Sequence, residues 1–180
     1  MTEDTAEPEE AKIKEPTRVN PDFKHEVLEA EGGDTLRVCF QCGTCAAGCI
    51  IANLTGKYHP RKLIRMAQLG LEDRILTDEN LWLCSTCYHC TDHCPQGVEV
   101  KDVIRVLQNI AAKKGYLPRV HREFGKQIMK SGYAYKMSKF KLKKRDKQGL
   151  PPVPESDDEE IKKLAEITGF KDILEKEVDE

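Results

Sequence analysis

Eight cysteines fall in two runs of identical spacing, Cys39-x2-Cys42-x2-Cys45-x3-Cys49 and Cys84-x2-Cys87-x2-Cys90-x3-Cys94, the second followed by Pro95. This is the spacing of a [4Fe–4S] run, in which three close cysteines wrap one cubane and the fourth ligates a second cluster. A chain with a thiol every third residue curls round one face of a cubane and reaches three of its irons. The x3 step then carries the fourth cysteine past its own cluster toward the neighbour. The expected ligand sets are therefore crossed. Cys39, Cys42, Cys45 and Cys94 hold cluster one, and Cys84, Cys87, Cys90 and Cys49 hold cluster two. Gly43, Thr44, Ala46, Ala47 and Gly48, with Ser85 and Thr86, are small enough to let backbone N–H groups approach cluster sulfurs. Ile50 stands where a proline often does, which leaves the turn after Cys49 open.

Other chemistries fit less well. Four thiolates also suit tetrahedral zinc, but zinc sites usually pair two Cys-x2-Cys knuckles across a longer loop. Structural disulfides need an oxidising compartment. His89 and His93 lie inside the second run, where a Rieske-type ligand role is one reading; with the thiols already complete, tuning a cluster or facing solvent fits better. Trp82 and Tyr88 flank that run and are expected to pack in the core. Lys57, His59 and Arg61 form a solvated face or offset cluster charge. No thiol is left as a nucleophile, and no G-x-G-x-x-G fingerprint or P-loop is present. No catalytic residue is expected, and single-electron transfer is the chemistry left.

The elements that must position these runs read as helices, with no strand pattern. Asp22–Leu28 makes a short helix before Gly32-Gly33, and Asp34 or Thr35 caps a turn leading into Cys39. Pro60 opens a helix with Leu63, Ile64 and Ala67 on one face, and Gly70 closes it. Thr77 caps a short helix, Asp78–Leu83, that delivers Cys84. Val100, Val103, Ile104, Val106, Leu107, Ile110 and Ala111 form a wide helical stripe stopped by Lys113, Lys114 and Gly115. A further helix from Pro118 is expected to turn Val120, Phe124 and Ile128 toward the core. Ser156 and Glu159 form a capping box before a last helix with Ile161, Leu164, Ala165 and Thr168.

The chain has 180 residues, 39% hydrophobic and 6% aromatic, which argues against a large enzyme core. Its net charge of −2 hides strong blocks: residues 101–150 hold 15 Lys and Arg against 3 Asp and Glu, between two acidic regions. Four segments follow: a disordered acidic tail (1–20), the cysteine-bearing domain (21–131), a basic extended linker (132–155) and an acidic C-terminal helix (156–180). The last two are expected to wrap a partner protein. No apolar stretch reaches the about 20 residues of a membrane span, and the N-terminus lacks a signal peptide, so a cytoplasmic protein is expected.

The runs Cys39-Phe40-Gln41-Cys42-Gly43-Thr44-Cys45 and Cys84-Ser85-Thr86-Cys87-Tyr88-His89-Cys90, with the helical spacer Ile50–Leu83 between them, resemble the C subunits of heterodisulfide reductase over roughly 22–130. The resemblance implies a mainly α, α-helical ferredoxin fold holding two [4Fe–4S] clusters, with extended N- and C-terminal tails. It implies electron relay from an A subunit, which contains flavin and iron–sulfur centres, to a catalytic B subunit. The latter reduces the coenzyme M–coenzyme B heterodisulfide in methanogenesis. A hydrogenase or formate dehydrogenase is implied in the larger complex. The chain is then part of an oxidoreductase, with no substrate site of its own. Succinate and glycerol-3-phosphate dehydrogenases use similar modules, but their plant-type [2Fe–2S] and paired-cysteine domains are missing here. A nucleic-acid role for the basic belt, with Tyr133, Tyr135 and Phe140 stacking on bases, is the remoter alternative; no nucleic-acid partner is expected.

Overall fold

The computed structural model describes residues 18–135, 137–154 and 158–176. Most of the acidic tail, residues 1–17, lies outside them, as do Ser156 of the expected capping box and residues 177–180. Every regular element among the described residues is helical. In order these are α1 (Phe23–Glu29), a 3₁₀ turn (Asp34–Val38), α2 (Thr44–Ala47), α3 (Ile50–Thr55), α4 (Pro60–Gln68), α5 (Glu72–Leu76), a second 3₁₀ turn (Glu79–Leu83), α6 (His89–Asp92), α7 (Val100–Lys113), α8 (Arg119–Ser131), α9 (Lys139–Lys147), α10 (Asp158–Ile167) and α11 (Phe170–Glu175). None is long and apolar enough to cross a membrane.

The core is built round α7. Its stripe is too wide for one face, so Val100, Val103, Ile104, Val106, Leu107, Ile110 and Ala111 are all buried. They pack on α4 through Leu63, Ile64 and Ala67, on α5 through Ile75 and Leu76, and on Phe23, Val27, Leu36 and Leu81. Each fully buried aliphatic side chain contributes about 1.5–3 kcal/mol. Both expected glycine stops are Schellman motifs. Leu71 N–H donates to Met66 O and Gly70 N–H to Ala67 O; Tyr116 and Gly115 repeat the pattern on Ala111 and Ala112. Long-range ties close the frame. Gln108 donates to Leu81 O, Glu99 N–H donates to Thr35 Oγ1, and Lys114 bridges Glu26 and Glu72.

Several expectations are corrected. Thr35 does not cap its turn, because its hydroxyl accepts from Glu99 N–H, 64 residues away. Thr77 does not cap either: from the C-terminal end of α5 its hydroxyl donates back to Asp73 O, and Asp78 caps the second 3₁₀ turn by accepting from Asn80 N–H. On α8, Val120 and Phe124 are exposed, at 63% and 49%. The inward face is Arg122 and Gly125. The Arg122 guanidinium is satisfied by the carbonyls of Gly115, Leu174 and Lys176. At Gly125 a Cβ would stand 2.4 Å from Leu174 Cδ2, so glycine lets α11 approach. Residues 139–147, expected to run extended, form α9 with Ser138 as its cap. The C-terminal helix is two helices broken at Gly169, and both pack on α8.

Candidate metal centre

The two cysteine runs follow the same backbone path. Each leaves a 3₁₀ turn at its first cysteine with near-extended dihedrals, φ −72° and ψ 115° at Cys39 and φ −59° and ψ 118° at Cys84. The residue before the second cysteine is left-handed in both, Gln41 at φ 65° and Thr86 at φ 57°. So is the residue after it, Gly43 at φ 94° and Tyr88 at φ 61°. A four-residue helix follows, α2 or α6, carrying the third cysteine, and the fourth cysteine comes two residues after its end. Gln41, Thr86 and Tyr88 are the only non-glycine residues with positive φ among the described residues. Each costs about 1–3 kcal/mol. Alternation between left-handed and right-handed or extended backbone aims successive N–H groups into one concavity, the nest that holds anions and iron–sulfur centres.

α2 packs on α6, which joins the two runs. Gly48 permits this closeness, since a Cβ there would stand 2.1 Å from His89 Nε2. Cys49 leaves the first run to line a narrow cavity, about 20 Å³ in volume, with Cys84, Cys87 and Cys90 of the second. Tyr58, His89 and Lys101 line the same cavity. Cys45 lies within electrostatic reach of Cys39, of Cys90 in the second run, and of Cys42. Cys94 follows α6, where its sulfur accepts the Val98 N–H at 3.3 Å. Cys42 and Cys87 are exposed, and the other six thiols are half-buried.

The thiols are poised for a cationic guest. Burial, then the neighbouring thiols, push Cys45 up to about 11, and burial with Cys84 does the same to Cys90. Cys42 is lowered instead, mainly by its hydrogen bond with the Thr44 hydroxyl at 3.3 Å. Crowded thiols of this kind exchange their protons for metal on binding. Among the described residues no three His, Cys, Asp or Glu side chains converge where a single ion could sit. A tetrahedral zinc would draw its sulfurs to about 4 Å of each other, whereas a cubane spreads its thiolates over separate irons. The residues fit the cluster.

The surroundings differ from expectation in several places. Lys57, His59 and Arg61 are exposed, and Arg61 comes against the first run, beside Gly43. Tyr88, expected in the core, is 39% exposed because its left-handed backbone puts it on the outside of the loop. Trp82 packs on the core, 5.0 Å from the His121 ring. His89 and His93 stack at 4.0 Å. After Cys49 the chain enters α3 at Ile50, whereas Pro95 leads into a turn closed by Gly97 N–H on Cys94 O. Tyr133 and Tyr135 engage within the chain, through Pro154 O and the Lys141 ammonium.

Three residues that matter here carried no sequence motif. Gln68 donates to Leu36 O and, at 2.9 Å, to Cys39 O, fixing the entry to the first run; it also accepts from Gln41, which donates to Cys39 Sγ. Tyr58 is 2% exposed, and its hydroxyl bonds Cys84; burial and then the adjacent thiols hold its phenol far above the usual range. Lys101 is a charge on the buried face of α7. Its one visible signal is a lysine three residues before Ile104 in an apolar stripe.

Residues 35–98 match the model of the 4Fe-4S dicluster domain family. The chain therefore carries two [4Fe–4S] clusters, and all eight of its cysteines lie within or beside the two runs described. It is 36% identical over 155 residues to the C subunit of the H(2):CoB-CoM heterodisulfide,ferredoxin reductase of Methanothermobacter marburgensis, covering 83% of each chain. It is 35% identical over 181 residues to the iron-sulfur C subunit of the CoB–CoM heterodisulfide reductase of Methanopyrus kandleri, covering 93% of each. Against the C2 subunit of the H(2)/formate:CoB-CoM heterodisulfide,ferredoxin reductase of Methanococcus maripaludis the identity is 32% over 169 residues, 87% of this chain and 91% of that one.

Proposed function

The chain belongs to the family of heterodisulfide reductase C subunits, and from that premise we propose that it relays single electrons from the flavin-containing A subunit to the catalytic B subunit of a CoB–CoM heterodisulfide reductase complex. Cluster one takes Cys39, Cys42, Cys45 and Cys94, and cluster two takes Cys84, Cys87, Cys90 and Cys49. The observation that supports the relay best is the duplicated loop, two equivalent left-handed nests joined where α2 meets α6. The cavity shared by Cys49 and the second run supports the crossed ligand sets.

Bound there, each cluster takes up and gives back one electron at a time. The chain's own residues do the rest. Crossed ligands tie the two loops into one unit. Tyr58, Pro60 and Lys101 close the buried side of the cavity, while exposed Cys42 and Cys87 leave one edge of each centre open to a partner. The name of the Methanococcus maripaludis relative favours a hydrogenase or formate dehydrogenase as the ultimate electron source.

Reconstitution tests this reading. The anaerobically purified chain should hold about eight irons, and the flavin-containing and catalytic partners should reduce the heterodisulfide only when it is added. Equal reduction without the chain, or a colourless zinc protein, would overturn the proposal.

A further inference from the structure

Lys101 stands in the first turn of α7 with its side chain only 9% exposed, in the cavity lined by Cys49, Cys84, Cys87 and Cys90. Its ammonium lies 3.6 Å from Asp102 Oδ1 and 5.0 Å from the centre of the Tyr88 ring. Burying an ammonium is costly unless it is paired. Asp102 pairs it incompletely, because the same oxygen also binds Arg105 at 3.0 Å. Two cations share one carboxylate, so the group keeps a net positive charge beside the second cysteine run. The backbone holds the lysine in place: Lys101 N–H donates to the hydroxyl of Thr91, the residue after Cys90. The first run has no equivalent buried cation among the described residues. Arg61 approaches Gly43 from an exposed position, where water and salt screen it.

We propose that the Lys101 ammonium raises the reduction potential of the cluster held by Cys49, Cys84, Cys87 and Cys90 above that of its neighbour, making it the electron sink of the pair. The proposal rests on the ligand sets given above. A cluster with four thiolate ligands gains one negative charge on reduction, and a fixed buried cation stabilises that state more than the oxidised one. One electron arrives from a low-potential carrier, no bond forms or breaks, and no proton moves.

Redox titration of the full chain, followed by EPR at full iron content, tests this. Cys87→Ser identifies the signal of the second run. Lys101→Met should lower the reduced-to-oxidised ratio of that signal about tenfold at fixed ambient potential, about 59 mV for one electron, and leave the other signal in place. Lys101→Arg, which keeps the charge, should leave both unmoved. No shift in Lys101→Met, an equal shift of both signals, or the same shift in Lys101→Arg would overturn the proposal. If Lys101→Met fails to load its iron, Asp102→Asn decides instead. Removing the counter-charge should move the Cys87-linked signal the opposite way, and an unmoved signal would overturn it. The ligand sets are read separately. If Cys49→Ser perturbs a different signal from Cys87→Ser, the crossing fails, while Lys101 is still judged on the Cys87 signal.

Discussion

Replacing Leu174 by alanine probes how the C-terminal helices are held. Leu174 is 5% exposed and fills the gap over Gly125 on α8; Ala165 is the only other fully buried apolar residue described in α10 and α11. Truncating its isobutyl group to a methyl should cost about 2–3 kcal/mol of docking energy. The Arg122 hydrogen bonds to Leu174 O and Lys176 O, each 2.7 Å, use backbone acceptors that alanine retains. The loss therefore falls on local docking and not on the α7 core, whose cluster of buried residues does not include Leu174. Native-state hydrogen exchange reads it directly: amides of 158–176 should exchange roughly 30- to 160-fold faster, at 1.36 kcal/mol per tenfold. Amides of α7 should keep their protection, and the iron content should not change. Unchanged exchange over 158–176 would refute the docking, and equal acceleration in α7 would refute its independence from the core.

Two further outcomes are expected. Tyr58→Phe removes the buried hydroxyl beside Cys84, and the Cys87-linked EPR signal should move to a more negative midpoint by about threefold in reduced fraction, roughly 30 mV; a shift confined to the other signal would refute that contact. Burial raises the Glu72 carboxyl, but hydrogen bonds from Lys114 and Asn20 more than offset it and hold it below its usual 4.5. Burial lowers Lys114, and Glu72 with Glu26 more than offsets that. The clamp is therefore complete at neutral pH. It is lost in acid as Glu72 protonates below its usual range, and in alkali as Lys114 loses its proton above its own. The denaturation midpoint of wild type should exceed that of Glu72→Gln by a constant amount near neutrality, and the gap should close in strong acid; a gap that persists there would count against the clamp.

Much of the site was legible because iron–sulfur ligation is local. Three thiols at three-residue steps can only curl one way round a cubane, so the duplicated runs announced both centres. The helix stops at Gly70 and Gly115 were equally readable, since a left-handed residue after a helix is a one-position requirement. The inward face of α8 was not. Arg122 and Gly125 look like a solvent face by hydropathy, yet the arginine finds three carbonyls and the glycine admits Leu174. Thr35 and Thr77 read as caps, but folding brings Glu99 N–H to the Thr35 hydroxyl from 64 residues away, and the Thr77 hydroxyl bonds back to Asp73 O one turn earlier.

By itself the sequence determined the helical class, the positions of all eight thiols and the family resemblance, because these depend on spacing along the chain. Only the tertiary structure decided what surrounds the thiols. Gln68 reaches Cys39 from α4, Tyr58 reaches Cys84 from the loop between α3 and α4, and Lys101 lies beside the second run from the first turn of α7. A buried polar group is tolerable only when its partners arrive from elsewhere in the fold. No periodicity records that arrival, which is why the residues best placed to tune the centres carried no motif.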